Sequence, residues 1–336
     1  MSDNVVLELA KVRALALGAM RGRDFGYAEA EATVEALLDA ERDGLPSHGL
    51  SRLPFYLDQA VSGKVDARAV PRLEVDGAVV RVDAGYGLAF PAVAQGLEAG
   101  YKCVEKLGLA AVAISHSHHF GVAGASVEAA ARRGCLALAF SNAPSAIAPW
   151  GGKRPLFGTN PIAFACPRRD HNPLLIDLSL SKVARGKVML AKKRGEPIPE
   201  GWALDSEGRP TTDPDAAIAG TMVPTGDAKG AALALMVELL SAGLTGSNYG
   251  FQASSFFEAE GTPPGIGQLI LLFDPTRFSD GFIDHAETLL SAMTEQPGVR
   301  LPGDRRYALR REVGEHLTLP AALVSDLEAH QAAGKK

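Results

Sequence analysis

The sequence is poor in several features that would define a protein quickly. Its 336 residues include three cysteines, Cys103, Cys135 and Cys166. They are odd in number, far apart and set in apolar stretches, which argues against a disulfide framework and suits buried thiols in a reducing compartment. No run reaches the roughly 18 uncharged apolar residues that a membrane span needs. The opening MSDNVVLELAKVRALALGAM is broken by Asp3, Glu8, Lys11 and Arg13, so it lacks the continuous apolar centre of a signal peptide. These absences point to a cytoplasmic protein. Positive charge is also not in excess. A net charge of −5 and a pI near 5.9 argue against nucleic acid or an anionic membrane as the main partner. The fingerprint G-x-G-x-x-G is missing too. Gly85-Tyr86-Gly87 and Gly265-Ile266-Gly267 lack the third glycine and the following helix, which disfavours an ordinary Rossmann domain.

What remains is an ordinary globular composition, 46% hydrophobic and long enough for two domains, with a small molecule as the natural partner. To about residue 65 the pattern is helical. Ser2 can cap a helix running toward Met20, and Ala30, Val34, Leu37 and Leu38 recur at helical spacing before Gly44. From about residue 72 short strand-like runs take over: 78–84, 109–115, 135–141, 161–167, 173–179 and 267–274. Helical segments intervene at 91–108 and 229–246, and a charged tail after residue 300 ends in a helix from Pro320 to His330.

The stretch LPSHGLSRLPFY, residues 45–56, sets polar groups in an apolar turn. With Leu50, Leu53, Tyr56 and Leu57 at helical spacing, Ser47 reads as an N-cap. His48 and Arg52 would then project from one helix face, their Cβ atoms about 5–6 Å apart. A histidine can give up a proton near neutral pH, and an arginine fork can hold a carboxylate. A capped helix with basic surface residues fits the same pattern.

ISHSHHFGVAGAS, residues 114–126, brings His116, His118 and His119 to the end of a strand. Neighbouring strand residues face opposite ways and no carboxylate is close in sequence, so metal is disfavoured. Phe120-Gly121 before a helix start offers backbone N–H groups to a phosphate instead. Polar groups also stand in the turns LFGTNPIAF (156–164), DLSLSKVARGK (177–187) and TGDAKG (225–230), each of which reads equally well as an ordinary loop. RLPGDRRYALRRE (300–312) gathers Arg300, Arg305, Arg306, Arg310 and Arg311, either as a solvated face or as an anion grip suited to the 2′-phosphate of NADPH.

In their order and surroundings, DGLPSHGLSRLPFY, SHHFG, RPLFGTNPIAF, ARGK, GWALDSEGRPTTDP, KGAALALMVELLSAGLTG and RLPGDRR resemble the malate/L-lactate dehydrogenase-like oxidoreductases. Within that family the chain looks most similar to the Δ1-pyrroline-2-carboxylate/Δ1-piperideine-2-carboxylate reductases. The resemblance implies an α/β (α+β) fold with a non-Rossmann NAD(P)-binding domain built on a mainly antiparallel sheet, residues 73–299. A helical domain from both chain ends, residues 1–72 with 300–336, would complete a homodimer subunit. It implies His48 as proton donor, Ser47 as its orienting partner, and Arg52 as carboxylate clamp aided by Thr159, Arg185 and Gly186. Lys187 stands where some imine reductases carry a relay aspartate. Cofactor contacts are implied for His119, Phe120, Gly121, Val122 and Ala123, for Asp177, Leu178 and Ser179, and for Ala228 and Lys229. The last group is Arg300, Leu301, Pro302, Gly303, Asp304, Arg305 and Arg306. The expected cofactor is NADPH, with NADH possible, and no metal. The expected reaction is hydride transfer to a cyclic imine acid, giving L-proline or L-pipecolate. A 2-hydroxy-acid dehydrogenase of the malate, lactate or sulfolactate type is the alternative, because a ketone beside a carboxylate needs the same donor and clamp. A nucleotide-binding regulatory protein that lost the chemistry is a third reading.

Overall fold

A computed structural model describes residues 4–334. Both chain ends build one helical layer. From the N-terminal end come β1 (Asn4–Glu8), α1 (Leu9–Arg21), α2 (Tyr27–Arg42) and α3 (Leu53–Val61). From the C-terminal end come β12 (His316–Pro320) and α11 (Ala321–Ala333). The apolar spacing read from α2 buries Ala30, Val34, Leu37 and Leu38 against Val12, Met20, Leu53, Tyr56 and Leu327. The helix expected from Ser2 begins later. Ser2 lies outside the described residues, and residues 4–8 are extended, pairing antiparallel with β12 from Asn4↔Pro320 to Glu8↔His316. That partner lies some three hundred residues away, beyond the reach of local periodicity.

The second layer is a seven-stranded sheet of order β2-β3-β4-β11-β5-β6-β7. Its strands are β2 (Arg72–Asp76), β3 (Val79–Asp83), β4 (Leu109–Ser117), β5 (Leu136–Ser141), β6 (Ile162–Cys166), β7 (Leu174–Leu178) and β11 (Ile266–Phe273). Neighbours run antiparallel except β3 and β4. The fold is therefore mixed α/β with a mainly antiparallel sheet. One face is covered by α4 (Ala89–Leu107) and α5 (Ala123–Arg132), and Tyr307 of α10 (Asp304–Val313) joins that core. Gly96 of α4 permits the close approach, since a Cβ there would stand 2.5 Å from Val112 Cγ1. The other face carries α8 (Ala228–Glu238), packed through Ala234 and Val237 onto Phe140 and Leu269.

A smaller unit lies beyond this face. It combines α6 (Arg185–Arg194) and α7 (Pro214–Ala219) with a three-stranded sheet of β8 (Ala203–Leu204), β9 (Pro210–Thr211) and β10 (Thr221–Met222). Helix α9 (Phe282–Thr294) is tied to the β6–β7 turn by the two-pronged pair Arg168–Glu287.

Buried charges join the two layers. Arg310 of α10 holds Asp43, just after α2, and grips Glu128 of α5 at 2.6 and 2.7 Å. One turn earlier, Arg306 reaches Asp177 of β7 at 2.9 Å and Asp43 at 3.7 Å. Burial works against the Glu128 carboxylate, yet Arg310 and Arg132 hold its pKa below the ordinary value. Removing one partner from such a cluster strands the others away from water. Arg310→Met is therefore expected to cost about 3–5 kcal/mol of stability, measured by urea unfolding. A loss within a few tenths of a kcal/mol would show that the network contributes nothing net.

Candidate active site

The turn after α2 is not a capped helix. Pro46–His48 and Leu50–Arg52 form two 3-10 turns joined at Gly49, and Ser47 lies inside the first. Its hydroxyl contacts His48 Nδ1 at 3.1 Å instead of capping backbone N–H groups. That contact leaves Nε2 as the ring nitrogen available to a substrate. Arg52 folds back so that its Nε donates to the Ser47 carbonyl at 2.6 Å. Its guanidinium lies 4.5 Å from the centre of the Phe257 ring. Arg52 Nη1 is buried and has no hydrogen-bond partner among the described residues. Burial also pulls the Arg52 pKa down.

The three histidines at the end of β4 and just beyond it part company. His116, at φ +48°, turns to Asp83 at 3.0 Å. His118 is buried between Tyr56 and Phe256, and neither ring nitrogen has a partner. His119 stacks on His48 with ring centres 5.5 Å apart and shares a 2.7 Å hydrogen bond with the Tyr56 hydroxyl. Removal from water pulls His118 down to about 3 and His119 well below its ordinary value. For His48 the same cause, with Arg52 and Arg306 added and Asp177 opposing, gives a pKa of about 4. The imidazole is thus a neutral base in the absence of ligand. Among the described residues, no group of three or more His, Cys, Asp or Glu could hold a metal ion, and no helix is long and apolar enough to cross a membrane.

Residues 7–328 match the malate/L-lactate dehydrogenase family. The chain belongs to that family. Over 97% of its length it is 69% identical to the (2R)-3-sulfolactate dehydrogenase (NADP(+)) of Chromohalobacter salexigens, 98% of which is covered. It is 39% identical to the Δ1-pyrroline-2-carboxylate reductase of Ancylobacter novellus, with 98% of each chain covered. The crystal structure of Δ1-piperideine-2-carboxylate reductase from Pseudomonas syringae superposes with a TM-score of 0.91 at 36% identity, covering 97% of this chain and 99% of that one. The chain is accordingly an NAD(P)-dependent oxidoreductase of a fold shared by dehydrogenases and imine reductases.

Of the residues that the resemblance singled out, the fold brings Ser47, His48, Arg52, His119, Asp177 and Arg306 into one neighbourhood. Gly121, at φ +68°, passes so close to Phe90 that a Cβ would meet the ring at 2.7 Å. The start of α5 differs from the open phosphate cradle that its sequence suggests. The Gly124 N–H there is already taken by Asp177 Oδ2 at 3.0 Å. Thr159 gives its carbonyl to Leu180 N at 2.8 Å and to the Ser179 hydroxyl at 3.4 Å.

Other positions stand apart. Arg185 lines a cavity of about 180 Å³ between α6 and β10, with the Ser145 carbonyl at 3.5 Å. Gly186 and Lys187 are exposed on α6, and the Lys187 side chain makes no hydrogen bond or ion pair among the described residues. Ala228 and Lys229 are exposed at the start of α8. The arginine tail divides by helix face. Arg306 turns inward to Asp177 with its Nη1 buried and unpartnered, whereas Arg300 and Arg305 line an outer cleft of about 510 Å³ with Arg168, His171 and Arg311.

Sequence reasoning missed four contributors. Tyr56 read as one more apolar position. Phe256 and Phe257 lay in an unassigned loop, although two adjacent aromatics in QASSFFEAEG are a visible signal. Glu238 is the one acidic residue of the otherwise largely apolar helix α8. It is buried and accepts from Asn142, Gly158, Asn160 and Gly250 at 3.1–3.2 Å, fixing the turn that carries Thr159.

The low His48 pKa fixes a pH dependence. A depressed pKa means that the proton is lost at lower pH, so the base form predominates above about 4. The value of kcat/KM in the oxidative direction should therefore hold level down to about pH 6, with its acid limb below the ordinary histidine value of about 6.5. An acid limb at or above 6.5 would contradict this environment.

Proposed function

We propose that the protein is an NADP-dependent 2-hydroxy-acid dehydrogenase whose substrate carries a second anionic group, of the 3-sulfolactate type. The observation that carries the class is Arg52 beside His48. The half-buried guanidinium has one N–H direction spent on the Ser47 carbonyl and a buried, unpartnered Nη1 left for a substrate carboxylate. The substrate is supported by the identity of 69% with a (2R)-3-sulfolactate dehydrogenase (NADP(+)), against 39% for a Δ1-pyrroline-2-carboxylate reductase. The cyclic imine reduction that the sequence favoured is thus the less supported reading, and the hydroxy-acid alternative stands in its place.

The residues suit the chemistry in both directions. When bound, NADP(H) supplies or takes the hydride at C2 of the acid. In oxidation, neutral His48 accepts the hydroxyl proton at Nε2 while the Ser47 hydroxyl steadies Nδ1. In reduction, the same nitrogen returns the proton to the carbonyl oxygen. Arg52 holds the carboxylate, while Arg185 lines a separate cavity and takes no role toward the second anionic group. For the cofactor, the unpartnered Arg306 Nη1 and the outer cleft of Arg300 and Arg305 fit an anion. We assign Arg305 to the 2′-phosphate. Lys187 takes no part in this reading, and a homodimer is the expected assembly.

A substrate panel tests the proposal. With NADPH, 3-sulfopyruvate should be reduced with a kcat/KM at least tenfold above that of pyruvate or of Δ1-pyrroline-2-carboxylate. Faster turnover of the cyclic imine would restore the reductase reading. For the cofactor, Arg305→Ala should raise the NADPH KM roughly tenfold and leave the NADH KM within about twofold, the loss of one charged hydrogen bond. Equal losses with both would remove Arg305 from the 2′-phosphate.

A further inference from the structure

The Arg52 guanidinium lies against a segment to which the proposed reaction gives no role. Residues 254–262 link the region after α8 to β11 and carry Phe256 and Phe257. Phe257 presents its ring to Arg52, and Phe55 of α3 meets the same ring edge-on at 5.6 Å. Phe256 is buried against His118 and His119, with ring centres 5.1 and 5.2 Å apart. The segment therefore walls the site on the side of both the clamp and the histidines.

A loop has no ladder to satisfy its carbonyls, so a wall of this kind normally depends on water. Here side chains from the end of α3 take that role. Lys64 is 1% exposed and its ammonium donates to the carbonyls of Ser255, Glu258 and Glu260 at 2.7, 2.9 and 3.1 Å. All three of its donor directions are spent on this one segment. Its contacts are all to carbonyls, although the Glu258 carboxylate is near enough to oppose the lowering of its pKa by burial. Gln59, fully buried, donates to the carbonyls of Phe256 and Glu258 at 3.0 and 2.9 Å, and the Ser62 hydroxyl donates to Ala259 at 2.6 Å. A lysine removed from water without a carboxylate partner is costly, and its fixed carbonyl partners are what offset that cost. Gln59 and Lys64 flank the end of the helix whose first turn begins at Arg52 and Leu53. One short element thus carries both the clamp and the fastening of the ring against it.

We propose that Phe257 is a positioning residue for the substrate carboxylate, holding the Arg52 guanidinium by its ring face, and that Lys64 with Gln59 fixes the ring by pinning the backbone of residues 254–262. The inference rests on the reading of Arg52 as the carboxylate clamp. A guanidinium over an aromatic face is held in a plane while its outer N–H groups stay free, which favours a two-pronged grip. Without the ring, Arg52 keeps its charge and its bond to the Ser47 carbonyl but can swing about Nε.

The test is a KM-against-kcat split. Phe257→Leu should raise the KM for the 2-keto acid between about two- and thirtyfold, the range of a desolvated cation–π contact, with kcat and NADPH affinity within twofold. Phe257→Tyr, which keeps the ring face, should bring KM back to within twofold of the parent. Lys64→Met should reproduce the KM effect, and joining it to Phe257→Leu should add little. If Lys64→Met does not fold, Gln59→Leu takes its place. Wild-type KM in Phe257→Leu, or a parallel fall in kcat and NADPH binding, overturns the role of the ring. Wild-type KM in a folded Lys64→Met or Gln59→Leu protein overturns the role of the pins. Arg52→Lys separates the two levels. If it raises KM while Phe257→Leu does not, this inference alone fails; if it leaves KM unchanged, the clamp reading fails.

Discussion

The buried ion network between Asp43, Glu128, Asp177, Arg306 and Arg310 is the constraint on which the site depends. Its carboxylates come from the end of α2, from α5 and from β7, and its arginines from α10 near the other end of the chain. Asp43 stands just before the turn that carries Ser47 and His48. Anchoring it therefore seats the proton-transfer turn against the sheet. Arg306 and Arg310 lie four residues apart, one helical turn, so a single face of α10 serves both layers. Because the charges are removed from water, each depends on the others, and the interface accepts one arrangement.

Within that frame the site is walled by rings. Tyr56, Phe90, Phe256 and Phe257 surround His118, His119 and Arg52, and the low dielectric holds the imidazoles neutral. If Arg52 is the clamp proposed above, the same desolvation that lowers the His48 pKa strengthens its attraction to an anionic substrate. Arrival of that anion adds negative charge near the imidazole and favours its protonated form, which is the donor needed for reduction. On the proposed reading, one environment would serve both directions: a base when the substrate is an alcohol, and a donor once a keto acid anion is seated.

Much of the fold is legible in the sequence. The runs at 109–115, 135–141, 161–167, 173–179 and 267–274 are strands within two residues of their expected bounds, because each is a short apolar run closed by glycine, proline or a polar turn. Helices α2, α4, α8 and α11 likewise follow their apolar spacing. Misread elements have distant causes. Residues 4–8 are a strand through their pairing with β12, and Ser47 lies inside a 3-10 turn where Gly49, Leu50 and Glu41 pack together. Glu41 Oε1 takes the Leu50 N–H at 2.7 Å.

For the site, the sequence determined the inventory: which histidine, serine and arginine stand in the 45–56 turn, and the order of motifs that marks the family. Local chemistry sufficed for this, since a proton donor and a carboxylate fork are properties of side chains. Tertiary structure decided their working state. It stacked His119 on His48, set the Phe257 ring against Arg52, and turned Arg306 inward while leaving Arg305 in the outer cleft. Orientation, desolvation and pKa depend on atoms brought together from across the chain, and no local pattern of residues records them.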